Sequence, residues 1–176
     1  MTTKPVEQLV ITPETAVTPE IAHLLGMAQE ARGRLLNALD GVDEALLDWQ
    51  PPVGNAIGAL LYHLAIIEAD WLYAEVLESD FPADVLALFP ADVRDAAGHL
   101  AVVTGEPLAA HLQRLAAIRA RLLATYQAMS LADFRRPRHL PHYDVTPAWV
   151  LHHLMQHEAE HRGQILVNRE LWAQAA

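Results

Sequence analysis

Three histidines recur at intervals of four residues near the carboxyl end of the chain: His153, His157 and His161. On a helix this spacing places neighbouring histidines on one face, about 5–6 Å apart at Cβ. Apolar residues flank them (Leu151, Leu154, Ile165), so part of this face should point into the protein. Two imidazoles four residues apart can bind one cation, and a metal is an economical partner for buried neutral imidazoles. The alternative is a histidine-rich helix whose rings are surface groups or hydrogen-bonded core groups.

The composition of the 176-residue chain limits the kinds of protein and site that it can form. This length suits one domain with a sizeable core, and the 52% of hydrophobic residues, rich in Ala and Leu, favour helices. Because the chain has no cysteine, it has no disulfide, no thiolate ligand and no cysteine nucleophile. A metal would therefore be bound by His and carboxylate groups. The net charge of −10 argues against nucleic acid as a partner.

The chain also lacks the usual patterns of a membrane span or a secretion signal. No 18 consecutive residues are apolar. Residues 1–7 have neither the basic start nor the apolar core of a signal peptide. We therefore predict a cytoplasmic protein with no membrane partner. The partner that we expect instead is a small-molecule substrate.

Apolar residues recur with helical periodicity in four long segments: 19–39, 56–78, about 107–129 and 147–172. Thr-Pro pairs at 18–19 and 146–147 suit helix starts, and Gly41 suits the left-handed residue that ends the first helix. The sequence predicts an all-α four-helix bundle without a sheet, up-down with longer crossover connections. This domain should cover residues 18–173, after an extended lead-in over residues 1–17.

The two long connections are the least regular parts of the sequence. Residues 79–104 are interrupted by Pro82 and Pro90, and we expect short helices at 84–88 and 91–99. A connection of this length is commonly a lid or a structured excursion. Residues 130–145 are expected to form a loop rich in basic side chains (Arg135, Arg136, Arg138, His139, His142). This loop would either bind an anionic ligand beside the site or supply ordinary surface charge.

Helical bundles build metal sites from side chains on facing helices. His63, in the second predicted helix, could meet His157 and His161 in the core, although a lone histidine there is more often a core group. Three neutral nitrogens with an open position form the pattern of catalytic zinc and similar ions. Gly163, in the same helix as the paired histidines, predicts the close approach of another backbone or of a ligand.

Two segments resemble the DinB-like superfamily. Residues 55–65 (NAIGALLYHLA) are similar to its second-helix motif. Residues 149–165 (WVLHHLMQHEAEHRGQI) are similar to its last-helix motif, a His-x3-His followed by Arg-Gly-Gln-Ile. The resemblance spans about residues 18–172. It implies a homodimeric four-helix bundle that holds a divalent metal, zinc or nickel, through His63, His157 and His161.

The resemblance also implies a class of activity. Some members of the superfamily are thiol-dependent S-transferases or isomerases that use bacillithiol, mycothiol or glutathione, and many have no established activity. A metal-dependent thiol S-transferase or a hydrolase is therefore expected, with a low-molecular-weight thiol as a candidate co-substrate. The alternative is a non-catalytic metal-binding or stress-response bundle in which the metal is structural.

Supporting roles are predicted for residues near the three histidines. A carboxylate could orient a ligand imidazole, an aromatic ring could line the pocket, and the basic loop could bind an anionic ligand. The candidate carboxylates are Glu158 and Glu160, and the candidate aromatic rings are Tyr62 and Trp149. In the basic loop the candidates are Arg138 and His142. His153 could lie beside a ligand or in the cavity. The alternative for each is an ordinary place in the core or on the surface. A solvated face is expected for Arg114, Arg119 and Arg121.

Overall fold

The computed structural model describes residues 9–94 and 100–175. The four long helices are α1 Pro19–Asn37, α3 Ile57–Asp70, α5 Leu108–Gln127 and α7 Pro147–Ala175. Three short helices lie between them: α2 Glu44–Asp48, α4 Ala83–Leu86 and α6 Leu131–Arg135. The chief helix contacts are α3 with α5, α1 with α7, and α3 with α7. The predicted all-α bundle is confirmed.

Helix α3 is the central helix of the bundle. All of its residues except Ile67 and Asp70 are buried, which follows from apolar side chains on every face rather than on one stripe. The segment Ile57–Val76 is long and apolar enough to cross a membrane by length and composition, but 78% of its apolar 18-residue stretch is buried inside the fold. Such burial is expected of a core helix, and it places His63 in the interior.

Helix α3 continues as a π-helical turn, Trp71–Val76. Its signature is the hydrogen bond from the Leu77 N–H to the Leu72 carbonyl, five residues back, at 3.0 Å. The prediction of a regular helix to residue 78 is therefore wrong in its last turns. π-helical turns of this length are frequent at functional sites.

The connection before α7 contains a small antiparallel hairpin. Strand β1, Arg138–His139, pairs with β2, Asp144–Val145. In the turn between the strands, the Leu140 N–H donates a hydrogen bond to the Tyr143 carbonyl at 3.0 Å. The expectations of a bundle without a sheet and of a plain loop over residues 130–145 are therefore wrong here. Two-residue strands are too short to show the alternating pattern that identifies a strand.

The other connections differ in part from the prediction. Residues 91–94 form no helix, and 95–99 of the segment predicted as helical lie outside the described residues. Helix α2 was not predicted; Asp43 caps it by accepting the Leu46 N–H at 2.9 Å. Residues 9–17 contain no helix or strand. They lie so close to α1 that a Cβ on Gly26 would be 2.2 Å from the Thr12 carbonyl oxygen.

Candidate metal centre

The structure brings together the three histidines His63, His157 and His161. His63 lies in α3, while His157 and His161 lie one turn apart on α7. The Nε2 atom of His157 is 3.0 Å from Nε2 of His63 and 3.0 Å from Nε2 of His161. One nitrogen from each ring lies within 4.8 Å of the others, as a shared ion requires. His63 is buried and the other two are half-buried, so one side of the cluster remains reachable.

Hydrogen bonds alone do not satisfy three ring nitrogens at these distances. A neutral imidazole Nε2 carries either one proton or one lone pair, yet Nε2 of His157 faces two other nitrogens at 3.0 Å. At least one of those contacts therefore lacks a properly directed hydrogen bond. A divalent cation would accept a lone pair from each ring, and nitrogens about 2.0–2.1 Å from one ion lie roughly 3–3.4 Å apart. The donor set and its spacing fit such an ion.

The protein environment keeps these rings neutral. Burial, with the neighbouring His161 and Arg94, lowers the pKa of His63 to about 4. Burial and the positive charge that His161 and His63 would carry lower the pKa of His157 to about 3. Burial also lowers the pKa of His161, although a hydrogen bond to Gln164 opposes this. Metal ions bind neutral imidazole, so all three rings are prepared to act as ligands.

Gln164 fixes which nitrogen of His161 carries the proton. Its side-chain oxygen lies 3.1 Å from Nδ1 of His161, and because an amide oxygen only accepts, Nδ1 carries the proton. The lone pair on Nε2 then points toward His157. Partners of this kind commonly orient ligand histidines. Sequence reasoning missed this role, although a position three residues after a histidine on one helix is a usable signal. Nδ1 of His63 is buried and has no partner among the described residues.

Comparisons with known proteins identify the family of this bundle. A family model described as the DinB superfamily matches residues 27–165. The chain belongs to the DinB superfamily. The crystal structure of the conserved protein of locus from Enterococcus faecalis has a similar fold, with a TM-score of 0.67 and 18% identity over 89% of this chain and 97% of that one. At that identity the likeness shows the fold alone. No curated protein matches the chain.

A buried network of four charges lies beside the histidines of this DinB superfamily member. Each long helix contributes one side chain: Arg32, Glu68, Arg119 and Glu158, all 7% exposed or less. Arg119 lies 2.7 Å from Glu68 and 2.8 Å from Glu158. Arg32 lies 2.7 Å from Glu68 and also pairs with Glu158. Burial alone would raise the pKa of Glu68, but Arg119 and Arg32 together lower it.

This network corrects the expectations for the charged residues of α5 and α7. Arg119 and Arg114 are 6% and 7% exposed, so neither lies on a solvated face. Arg114 pairs with Glu106 at 2.7 Å, and its guanidinium lies 4.9 Å from the centre of the Tyr62 ring. The Glu158 carboxylate binds two arginines, one through each oxygen. Its observed partners are therefore guanidinium groups rather than a ligand imidazole.

His153 joins the three histidines to a group of aromatic rings. Its ring stacks on Trp149 at 4.9 Å with an angle of 11° and lies 6.0 Å from the ring of His157. Trp71, from the π-helical turn, lies 4.7 Å from His153. His153 is thus placed beside His157, as predicted for one of its possible positions, and its functional role stays a prediction. Sequence reasoning missed the place of Trp71 beside His153, because its apolar position is typical of an ordinary helix core.

Tyr62 and Arg138 both make hydrogen bonds with the segments that connect the long helices. The Tyr62 hydroxyl donates to the Ala91 carbonyl at 2.5 Å and accepts the Ala91 N–H at 2.9 Å. It therefore anchors the connection over residues 79–104 to α3. Arg138 is 2% exposed and donates to the carbonyls of Asp133 and Arg136, both at 2.9 Å. Its guanidinium is therefore bonded within the connection before α7 and is not available to a ligand.

Other predicted residues lie at the surface. His142 and Glu160 are exposed, and among the described residues neither belongs to the group of three histidines. The charge of Glu160 still acts on His161, where it raises the pKa against the effect of burial. A Cβ on Gly163 would meet no atom of residues 9–94 and 100–175 within 4 Å. The prediction that another backbone approaches this glycine is therefore wrong for the described residues.

Proposed function

We propose that His63, His157 and His161 bind one divalent cation, zinc or nickel, in a metal-dependent enzyme. The reaction class is thiol S-transfer or hydrolysis, with a small-molecule substrate. The observation that supports this most strongly is the convergence of three neutral Nε2 atoms from α3 and α7, with contacts of 3.0 Å. Membership of the DinB superfamily supports the same proposal.

The surrounding residues suit a site that binds an ion and remains accessible. His63 supplies one nitrogen from the buried centre of the bundle, while half-buried His157 and His161 leave one side for a ligand. Gln164 holds the proton of His161 on Nδ1 and so keeps Nε2 available. A bound divalent ion supplies Lewis acidity, which lowers the pKa of a water or thiol that reaches it. Three protein nitrogens with an open position favour this chemistry over a closed structural site.

Metal titration of two matched histidine variants tests the ligand set. Wild-type protein stripped of metal should bind one zinc or nickel ion per chain by calorimetry. His63→Ala should lose that affinity by orders of magnitude, because two ligands remain. His152→Ala removes an exposed histidine next to the cluster and should leave affinity unchanged. Full metal occupancy in His63→Ala would refute the three-histidine site.

Removal of the metal separates a catalytic ion from a structural one. A structural site loses folding free energy with its ion, because binding energy is then folding energy. This bundle has its own apolar core and a four-helix charge network. The metal-free protein should therefore keep its helical circular dichroism and lose only turnover. Unfolding on metal removal would instead support a non-catalytic bundle with a structural metal.

The co-substrate and the oligomeric state belong to the same proposal. We expect turnover with bacillithiol, mycothiol or glutathione in a screen of electrophiles, and its loss on metal removal. Turnover without any thiol would indicate a hydrolase. The family resemblance also leads us to expect a homodimer, which sedimentation at micromolar concentration tests directly.

A further inference from the structure

A cavity of about 550 Å³ lies between the π-helical turn, the hairpin and the first turn of α7. Three aromatic rings line it: Trp71, Tyr143 and Trp149. The Trp71 ring centre is 5.4 Å from that of Trp149 and 6.3 Å from that of Tyr143. Trp149 and Tyr143 are 48% and 45% exposed, whereas large aromatic rings are usually well buried. The cavity therefore presents several aromatic faces to an incoming ligand.

The charge at this cavity is negative. Among its lining residues in the described part of the chain, Asp144 alone carries a formal charge; its carboxylate lies 2.9 Å from Nδ1 of His139. The Tyr143 hydroxyl donates to Glu75 at 2.9 Å. Partial burial and the carboxylates of Glu75 and Asp70 raise the pKa of Tyr143 to about 12. The surroundings therefore oppose additional negative charge.

The arginines nearest in sequence do not reverse this balance. Arg138 is buried, and its guanidinium donates to the Val76 carbonyl at 3.3 Å as well as to the connection before α7. Arg136 pairs with Asp133 at 3.0 Å and with Glu78 at 3.6 Å. Both positive charges are therefore engaged by protein oxygens, and an anionic ligand gains little from them.

The amino terminus of α7 also lies at the cavity, where it would favour an anion. A helix terminus acts as roughly half a positive charge, but anion binding needs free N–H groups. Pro147 has no N–H. The Trp149 N–H donates to the Thr146 hydroxyl at 3.2 Å, and the Val150 N–H donates to the Thr146 carbonyl at 3.0 Å. Two of the three N–H groups in the first turn of α7 are therefore already bonded, and the full negative charge of Asp144 outweighs the half charge of the helix end.

We propose that this cavity binds the ammonium group, quaternary or protonated, of a small organic cation. Aromatic faces attract such cations, and tryptophan does so best. His153 stacks on Trp149 and lies next to His157, so it separates the cavity from the metal centre by one ring. A substrate held by its ammonium group would extend past His153 to the three histidines. That extension rests on the proposed metal-dependent function, whereas the preference of the cavity for ammonium does not.

Choline and its uncharged carbon isostere, 3,3-dimethylbutanol, test this preference on the full chain. The two probes have nearly the same shape and differ in the positive charge. By calorimetry and tryptophan fluorescence, choline should bind about tenfold more tightly. The anionic probe 3,3-dimethylbutyrate should bind more weakly than either. Equal binding of choline and its isostere would reduce the site to an apolar cavity, and tighter binding of the anion would overturn the charge assignment. Absence of choline binding at millimolar concentration would overturn the proposal outright.

Variants locate the binding site. Trp149→Leu should weaken choline binding about tenfold and Asp144→Asn about threefold. The control is Trp172→Leu, since Trp172 packs against Trp49 elsewhere, with ring centres 5.6 Å apart, and should leave choline affinity unchanged. Thermal unfolding verifies that each variant is folded. Unchanged binding in Trp149→Leu would refute this location. His63→Ala should lose metal and keep choline binding, so failure of the metal proposal is distinguishable from failure of this one.

Discussion

Replacement of Glu158 by Gln should destabilise the bundle through its effect on two buried arginines. The substitution keeps the size of the side chain but leaves Arg32 and Arg119 to share the single carboxylate of Glu68. Removal of one partner from a buried ion pair costs about 3–5 kcal/mol. Each kcal/mol lowers Tm by roughly 2–4 °C in a chain of this size, so the expected loss is roughly 6–20 °C. Because domains are stable by about 5–15 kcal/mol, urea denaturation should still measure a folded variant.

Two further variants separate unpaired charge from simple loss of contacts. Glu160→Gln changes an exposed carboxylate on the same helix and should alter stability by less than about 0.5 kcal/mol. The double variant Arg119→Met with Glu158→Gln leaves a balanced pair, Arg32 with Glu68. Its loss of stability should be smaller than the sum of the two single losses by about 0.5–3 kcal/mol. Additive losses would refute the reasoning, because the second change would then relieve no unpaired charge.

Two other predictions concern the lead-in contact and the histidines. Gly26→Ala should destabilise by about 1–3 kcal/mol in urea denaturation, since the new Cβ would overlap the Thr12 carbonyl. Gly33→Ala should stabilise by roughly 0.5–1 kcal/mol, because no atom of the described residues lies within 4 Å of the new Cβ. An equal response of both glycines would contradict this. In metal-free protein, stability should fall as pH drops from about 6.5 toward 4, because the unfolded chain protonates histidines near 6.5 whereas the folded pKa values of His63 and His157 are about 4 and 3. His63→Gln should make this decline shallower, and an unchanged slope would argue against a neutral buried ring.

The long helices and the three histidines could be predicted from the sequence because their signals are local and repetitive. Apolar periodicity predicted four helices whose ends lie within about three residues of the observed ones, provided that the π-helical turn Trp71–Val76 is counted with α3. The His157 and His161 pair is fixed by helical spacing alone. Bundle architecture allowed His63 to meet this pair, but only the family resemblance selected it, since 94 residues separate His63 from His157. The π-helical turn could not be predicted, because residues 71–76 have the same apolar character as the helix before them.

The burial of these charges was not predicted, because an isolated charged residue on a helix usually lies at the solvent-exposed surface. Arg119 pairs with Glu68, 51 residues away, and with Glu158, 39 residues away, so no local pattern links them. A signal was nevertheless present. Arg119 lies four residues after Leu115, and Glu158 lies four residues after Leu154, which places each charge on the apolar face of its helix. Charges of opposite sign on the apolar faces of different helices indicate a buried network.

This network also explains how the bundle could position metal ligands accurately. Glu68 follows His63 by five residues on α3, and Glu158 directly follows His157 on α7. Arg119 binds both carboxylates at 2.7–2.9 Å, so it constrains the two ligand-bearing helices relative to each other. Sites of this kind need positions within about 0.5 Å, whereas apolar side chains could often replace buried ion pairs without loss of stability.

It follows that Glu158→Gln should weaken zinc affinity as well as stability. Gly26→Ala is the matched control, because it should lower stability through the lead-in contact, keep all four charges of the network, and leave zinc affinity unchanged. Calorimetric titration of both metal-free variants at pH 7 makes the comparison. If both variants lost affinity in proportion to their loss of stability, general loosening of the bundle would account for the result. A loss of affinity confined to Glu158→Gln would instead require that the charges hold α3 and α7 in the register that the three histidines need.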